Sequence, residues 1–497
     1  MQPSLVRNGR GSAANLYGMS FARLRPFAFA LILGVALSCP ACNSERDETG
    51  RPRNVVLFVV DTLRADRLGC YGYERATSPT IDKLAEAGTL FERNYAQGYW
   101  TVPSMISMMS GLYVTDDETA LAADAPTMCE SLKNAGITTA AFVGNRVLTN
   151  SRGFERGLDH FEGPDPSGRA QTLVNRFAKW YTANKQKLAR GKGFFAWIHP
   201  FDPHEPYRPK PEFRVFAGPR PGEAKLRELW EREAERVRVV DPNGEHPSFE
   251  EAVAGIREET NLYDGEVLAV DAGVRRLIEV LRNAGELDRT LIIIAADHGE
   301  THCEHVDYPQ SVAARLKNKG QLDRGVRDLL LAGHRGFRDD VWRTPLIMVG
   351  PGVPAGVRAD HLTANLDLYP TILDIFDVPA PRHLAGQSLW RSAGSRYSQV
   401  FGHSFNTQAV IADDGFKLIE HSYERLQQVA EGPKPIELFR PTEDPDEVID
   451  FANSSSETAE KLRTLIHAWQ AEHKRSFISE TSEEARQTLL DLGYTGY

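Results

Sequence analysis

The sequence predicts an α/β fold: a mostly parallel central sheet flanked by helices, followed by a small C-terminal α+β lobe. Three observations point there. Short β-branched or Leu/Ile-rich runs alternate with longer amphipathic segments between Asn54 and Phe376. The apolar runs are continuous, as strands buried on both faces read. Carboxylates and imidazoles also fall at the ends of those runs, where parallel sheets place their sites.

The elements follow in order. Asn54–Val60 is a β-branched strand that ends in Asp61. Ser78-Pro79 opens a helix with a capping residue and proline at its first position, and Gly88 closes it. Pro103 suits the same first position, which puts Thr101 at the mouth of a helix Pro103–Ser110. Helix Thr127–Ala135, strand Thr138–Val143, helix Gln171–Leu188 and strand Phe194–His199 come next. A charged helix, Gly222–Val239, reads as a solvated face with i,i+4 pairs, and a long helix, Phe249–Ala284, follows it. Strand Thr290–Ala296 opens into Asp297-His298, and strand Pro345–Val349 with helix Leu366–Phe376 completes the parallel pattern. Val306 to Leu331 reads as an insertion with a basic centre, equally a substrate-selecting lid or an ordinary surface loop. After Gly394, short strands at Val400–His403, Val410–Ala412, Lys417–Glu420 and Glu437–Phe439 precede helix Glu457–His473. They predict an antiparallel-sheet lobe packed on the main body. The resulting division is a catalytic domain at 54–394, a lobe at 395–475 and a polar tail at 476–497.

The start of the chain reads as an export segment. Arg23 and Arg25 precede an apolar run, Phe27 to Leu37, that is shorter than the ~20 residues of a bilayer span. Small residues then lead into Ser38-Cys39-Pro40-Ala41-Cys42, a layout that fits a bacterial lipoprotein signal over residues 1–42, with Cys39 or Cys42 lipidated. Met19 offers an alternative start, and residues 43–53 read as a tether. These features place the protein in the periplasm or at the cell surface, touching membrane only through a lipid anchor. Cys70, Cys129 and Cys303 are too widely spaced for a zinc ribbon or a disulfide framework. Across its 497 residues the formal charge is −10, and the first 42 residues carry Arg7, Arg10, Arg23 and Arg25 and no acid, so the body is more acidic still. Such a body is a poor partner for nucleic acid.

The chemistry centres on Thr101, in Gln97-Gly98-Tyr99-Trp100-Thr101-Val102-Pro103-Ser104-Met105. A hydroxyl at a helix mouth, with carboxylates and an imidazole from strand ends, makes a metal-activated alcohol nucleophile. Asp61, Asp297, His298 and Thr101 are the expected ligands of one divalent cation. Carboxylates with one imidazole suit Ca²⁺, Mn²⁺, Mg²⁺ or Zn²⁺ alike. His204 and His334 are candidate proton donors and acceptors, and Arg335 follows His334 as a candidate for the anion's oxygens. His199, Asp202, His302 and His305 are weaker candidates that could build a second metal site. The aromatics Tyr99, Trp100, Tyr207 and Trp342 read as core by default.

Five segments resemble the sulfatase family of the alkaline phosphatase superfamily. They are the strand from Asn54 through Asp61 to Asp66, Trp100-Thr101-Val102-Pro103-Ser104, Phe201-Asp202-Pro203-His204-Glu205-Pro206-Tyr207, Asp297-His298-Gly299-Glu300, and Glu437-Leu438-Phe439 with Asp444-Pro445-Asp446-Glu447. Glu304-His305 and Gly333-His334 resemble later histidine positions, and the likeness keeps its order from Asn54 to Gln470. The resemblance implies an alkaline phosphatase-like sheet and a metal-dependent ester hydrolase. The departures matter equally. Family sulfatases carry cysteine or serine where Thr101 stands, and that residue matures to formylglycine, so none is expected here. Met105 occupies the arginine position of that motif, and Gly144-Asn145-Arg146-Val147 lies where a lysine and a histidine are common, which leaves Asn145 as a substrate-binding candidate. Thr62 replaces a second aspartate. Threonine nucleophiles occur elsewhere in the superfamily, in enzymes acting on phosphorus.

The expected function is therefore an exported sulfatase-family hydrolase cleaving a sulfate or phosphate ester through a covalent Thr101 intermediate. The nucleophile favours phosphate mono- or diesters, and the substrate is a small, glycan- or lipid-derived anionic ester. Two alternatives stand beside it: a phosphoglycerol or phosphoethanolamine transferase, and a lipoprotein that binds anionic glycans without turnover.

Overall fold

The structure, a computed structural model, describes residues 50–114, 120–219, 223, 227, 249–302, 332–333, 336–390, 397–404, 407–421 and 436–473. Residues 1–49, with the expected export segment and most of the tether, lie outside the described residues, as do most of the charged helix, the insertion, Glu304-His305, His334, Arg335 and the tail.

The main sheet is built from β1 (Asn54–Val60), β2 (Thr89–Tyr95), β3 (Thr138–Val143), β4 (His160–Glu162), β5 (Phe194–His199) and β6 (Thr290–Ala296). A two-residue ribbon, β7 (Thr301–His302) with β8 (Ala332–Gly333), stands apart from it. β9 (Leu346–Val349) and β10 (Val357–Ala364) complete the sheet in the order β10-β2-β9-β6-β1-β5-β3-β4. Helices α1 (Pro79–Ala87), α2 (Thr101–Ser110), α3 (Met128–Asn134), α4 (Ala170–Arg190), α5 (Phe249–Ala284), the one-turn α6 (Asp339–Trp342) and α7 (Leu368–Ile375) cover its two faces.

β1 shows why its sequence is apolar throughout. Side chains alternate across a strand. Val55, Leu57 and Val59 join a core with residues of α2, α3 and α7. Val56, Phe58 and Val60 join a second core with α1, α4 and α5. Every residue of β1, β5 and β6 is buried. At ~1.5–3 kcal/mol for each large aliphatic or aromatic side chain fully buried, these three strands contribute strongly to the stability of the sheet. Helix ends are tied down by carboxylates from elsewhere. Asp271 of α5 accepts the Thr80 and Ile81 amides at the start of α1, both at 2.8 Å. Thr127 and Glu130 form a reciprocal capping box on α3.

Three details differ from the sequence expectation. The strand expected at Pro345–Val349 is present as β9 but runs antiparallel to both β6 and β2. β9 enters from the end of the sheet where β6 finishes and runs back beside it. β2, β4 and β10 were not foreseen. β2 carries Glu92 and Arg93, edge strand β10 carries Arg358, Asp360 and His361, and β4 has 3 residues, so none shows a long apolar run. Finally, α2 starts at Thr101 rather than Pro103. Proline is still tolerated there, because the first-turn amides have no partner within the helix.

The C-terminal lobe is a four-stranded antiparallel sheet of β11 (Gln399–Ser404), β12 (Thr407–Ala412), β13 (Lys417–His421) and β14 (Ile436–Phe439), followed by α8 (Ser456–His473). One face packs on α8 through Phe401, Val410, Leu418 and Leu438, with Phe401 stacked on Trp469. The other face, through Val400, Ile411, Ile419 and Phe439, packs on Tyr95, Phe337 and Trp342 of the main body.

Candidate active site

Four adjacent strands deliver polar side chains to one end of the sheet. Val60 pairs with Ala296, so Asp61 and Asp297 emerge side by side from β1 and β6. β5 flanks β1 on its other side and ends in His199, and β3 pairs with β5 and is followed by Gly144-Asn145. α2 presents Thr101 as its first residue, with Trp100 before it in extended backbone. Gly111, at φ +68°, ends the helix, where a side chain would strike Leu384 and Tyr369. Asp61, Asn145, Thr101, His199, Asp297 and His298 are all buried.

The Thr101 hydroxyl lies 3.3 Å from His298 Nε2 and accepts from Asn145 Nδ2 at 3.3 Å. The same Asn145 amide donates to Asp61 Oδ2, while its own Oδ1 accepts the Val147 amide at 2.9 Å. His298 Nε2 stands 3.7 Å from Asp61 Oδ1 and 3.5 Å from Asp297 Oδ2. Its other ring nitrogen lies 2.8 Å from the Gly299 carbonyl. A carbonyl only accepts, so Nδ1 carries the proton and Nε2 turns its lone pair toward the acids. Asp297 Oδ1 accepts the amides of Thr62 at 3.2 Å and His298 at 2.9 Å. Gly299 permits close passage of the next segment, since a Cβ there would sit 2.0 Å from the Asp340 carbonyl.

Thr62 is strained. It is β-branched yet holds φ +52°, in the left-handed region. Tyr263 of α5 fixes it from behind: its hydroxyl donates to the Thr62 carbonyl at 2.7 Å and accepts the Arg64 amide at 3.0 Å. The charges are equally constrained. Burial pushes Asp61 up, but His199 and then His204 outweigh it and hold this carboxyl well below its ordinary range. Burial and then the Asp61 charge push Asp297 well above its ordinary range. The protein on its own thus favours one charge on two adjacent acids.

His204 lies on the loop after β5. Its ring stacks on Phe201 at 4.4 Å, and its Nδ1 lies 2.6 Å from the Glu205 carbonyl. Asp202 caps α4 instead of reaching into the site, accepting the Ala170 amide at 3.0 Å. His302 belongs to a neighbouring cluster with Arg64, 3.3 Å from its guanidinium, and with Tyr263. Met105, in the arginine position of the motif, is buried in the apolar core. Trp100 and Trp342 are core residues, the latter donating to the Ala96 carbonyl. His199, a weaker candidate from sequence, is the last residue of a buried strand, and its Nε2 is 3.6 Å from Asp61 Oδ2.

The sulfatase family model matches residues 53–378, which include every element just described around Thr101. The chain belongs to the sulfatase family. It is a hydrolase of the class that acts on sulfuric or phosphoric esters. The N-acetylglucosamine-6-O-sulfatase of Bacteroides thetaiotaomicron is 23% identical, over 92% of each chain. Human arylsulfatase K is 22% identical, over 88% of this chain and 85% of its own. Among solved structures, an enzyme bound to its substrate D-glucosamine-2-N,6-O-disulfate superposes with a TM-score of 0.64 at 20% identity, covering 85% of this chain and 98% of its own. The phosphonate monoester hydrolase of Agrobacterium radiobacter gives 0.62 at 18% identity, covering 87% and 99%.

A sulfatase-family fold implies a divalent metal, and these residues fit one. Ligand atoms of Asp61, His199 and Asp297 lie within 4.8 Å of one another. Asp61 Oδ1, Asp297 Oδ2 and both ring nitrogens of His199 are buried without a hydrogen-bond partner. Buried acceptors with no donor are costly unless a cation meets them.

Proposed function

We propose that this member of the family is a metal-dependent hydrolase that cleaves a phosphate mono- or diester through a covalent Thr101 intermediate. The observation that carries the reading is the Thr101 hydroxyl, held 3.3 Å from both Asn145 and His298 beside the Asp61–Asp297 pair.

Asp61, Asp297, His298 and the Thr101 oxygen would hold the cation, with His199 within reach of Asp61. When bound, it supplies Lewis acidity that lowers the proton affinity of the hydroxyl and balances the two carboxylates. The chain's own residues do the rest. Asn145 donates to the Thr101 oxygen and fixes its lone pairs for in-line attack. The Thr101 hydroxyl then gives its proton to water, and Oγ1 bonds to phosphorus as the bond from phosphorus to the ester oxygen breaks. The α2 amino terminus places its positive end next to the developing oxyanions. His204, whose Nδ1 proton is committed to the Glu205 carbonyl, handles a proton at Nε2 and supplies it to the leaving oxygen. Water releases the phosphoryl group and returns Thr101. A role for His334 and Arg335 beside this centre rests on sequence alone, as do export and lipid anchoring. No helix among the described residues is long and apolar enough to cross a membrane.

The test is intact-mass analysis of metal-loaded protein incubated with aryl phosphate, phosphodiester and sulfate esters. A phosphoryl adduct on the peptide containing Thr101 supports the proposal. A sulfuryl adduct would transfer the reading to sulfate esters. Turnover that persists in Thr101→Ala would end the covalent mechanism.

A further inference from the structure

We infer that His199 is itself a metal ligand, so that the centre is one of two carboxylates and two imidazoles and takes a zinc-like late first-row cation in preference to Ca²⁺ or Mg²⁺. This rests on the reading that Asp61 and Asp297 hold a cation.

His199 is locked in place. Its carbonyl accepts the Gly144 amide at 2.8 Å, and its ring lies edge-on to Trp197 at 5.9 Å. It is wholly buried, and neither ring nitrogen has a hydrogen-bond partner. A buried polar group left unsatisfied costs ~1–3 kcal/mol, so the position needs a reason. Asp61 provides it. One of its oxygens faces His199 at 3.6 Å and the other faces His298 at 3.7 Å. The carboxylate lies between two imidazoles.

The donor set then decides the ion. Calcium takes 6–8 oxygen ligands, and magnesium keeps an octahedral shell of oxygens. Here the hard donors beside the imidazoles are Asp61, Asp297 and the Thr101 hydroxyl. Thr62, which follows Asp61, offers a short hydroxyl on a backbone pinned by Tyr263 and Asp297. Imidazole nitrogens favour zinc and its neighbours over calcium and magnesium. Ligand atoms of Asp61, His199 and Asp297 lie within 4.8 Å of one another, and His298 Nε2 stands 3.5 Å from Asp297 Oδ2.

The full chain, stripped with chelator, is titrated with Zn²⁺ and Ca²⁺ against a chromophoric competitor. His199→Ala and His199→Gln are measured alongside, with circular dichroism checking that each variant is folded. The expected result is one Zn²⁺ per chain with Ca²⁺ at least ~100-fold weaker. Loss of His199 should weaken Zn²⁺ by ~10–100-fold and leave Ca²⁺ unchanged. The visible bands of the Co²⁺-loaded protein should also shift in both variants, and the glutamine variant decides if alanine does not fold. Zn²⁺ affinity and Co²⁺ bands unaffected by either substitution would overturn the inference while leaving the metal hydrolase intact. Absence of any cation binding by the wild type would remove that reading as well.

Discussion

Thr101 Oγ1 receives a hydrogen bond from Asn145 and faces a histidine lone pair, at the first position of a helix and among buried acids. A hydroxyl in that place is either a spectator or the nucleophile, and substitution separates the two. Thr101→Ala should lower kcat/KM by at least ~10³-fold with little change in thermal stability, and Thr101→Ser should keep most of the activity. Equal activity in wild type and alanine variant would make the hydroxyl a spectator. Thr62 is the other residue whose backbone carries meaning. A β-branched side chain at φ +52° persists only where its surroundings over-determine it. Here its amide serves Asp297 and its carbonyl serves Tyr263, so the strain is held by the metal loop and by α5 together. Asp61, Thr101, Asp297 and His298 stood out in the sequence because strand ends and a helix start are local features. His199 ranked lower, because its nearness to Asp61 depends on β5 lying beside β1.

The α5 helix is a scaffold for this loop. Its residues Val267, Val270, Val274, Leu277 and Leu281 recur at helical spacing and pack on the sheet, which sets the height of Tyr263. Tyr263→Phe leaves the Arg64 amide and the Thr62 carbonyl without their shared partner. It should cost ~1–3 kcal/mol in urea unfolding and weaken metal binding as well. An unchanged metal affinity would mean that the latch serves stability alone. The loop after β5 is tied in a similar way through Asp202, which caps α4. Burial, and then the charge of Glu266, pushes the Asp202 carboxyl up to about 7. A raised acid favours the folded state while protonated. Its contribution is therefore complete below the ordinary carboxylate range near pH 4 and is lost as pH rises through about 7. Asp202→Asn keeps an acceptor for the Ala170 amide and removes the titration. The wild type should thus lose stability relative to the variant as pH is raised from 4 to 8, by up to a few kcal/mol. Parallel melting curves across that range would disprove the assignment.

The C-terminal lobe is joined to the body by charge as well as by apolar packing. Lys417 of β13 is fully buried and pairs with Asp339 of α6 at 3.0 Å and with Glu447. Its ammonium also lies over the Trp342 ring at 5.7 Å. Removing one partner of a buried charge cluster strands the others, so Lys417→Ala should destabilise the protein by ~3–5 kcal/mol. The measurement is thermal unfolding, and a shift within experimental error would show that the acids are satisfied without it. α6 also abuts the active-site loop, since the Gly299 amide donates to the Val341 carbonyl at 2.7 Å and the Glu300 amide to that of Asp340 at 3.2 Å. The lobe therefore buttresses the strand end that carries Asp297 and His298.

Local patterns were enough to specify the α/β alternation and the strands at Asn54–Val60, Phe194–His199 and Thr290–Ala296, and to mark the candidate nucleophile and acids beside them. Apolar periodicity and punctuation by proline and glycine are short-range properties, so they survive in a bare chain. Strands β2, β4 and β10 and the reversed direction of β9 are different. Their residues are polar or few, and they form because a neighbouring strand supplies hydrogen bonds. The pairing of His199 with Asp61 and the clamp of Tyr263 on Thr62 likewise join segments that only folding brings together. Sequence order carries no distance across a sheet, and the arrangement of the centre depends on those distances.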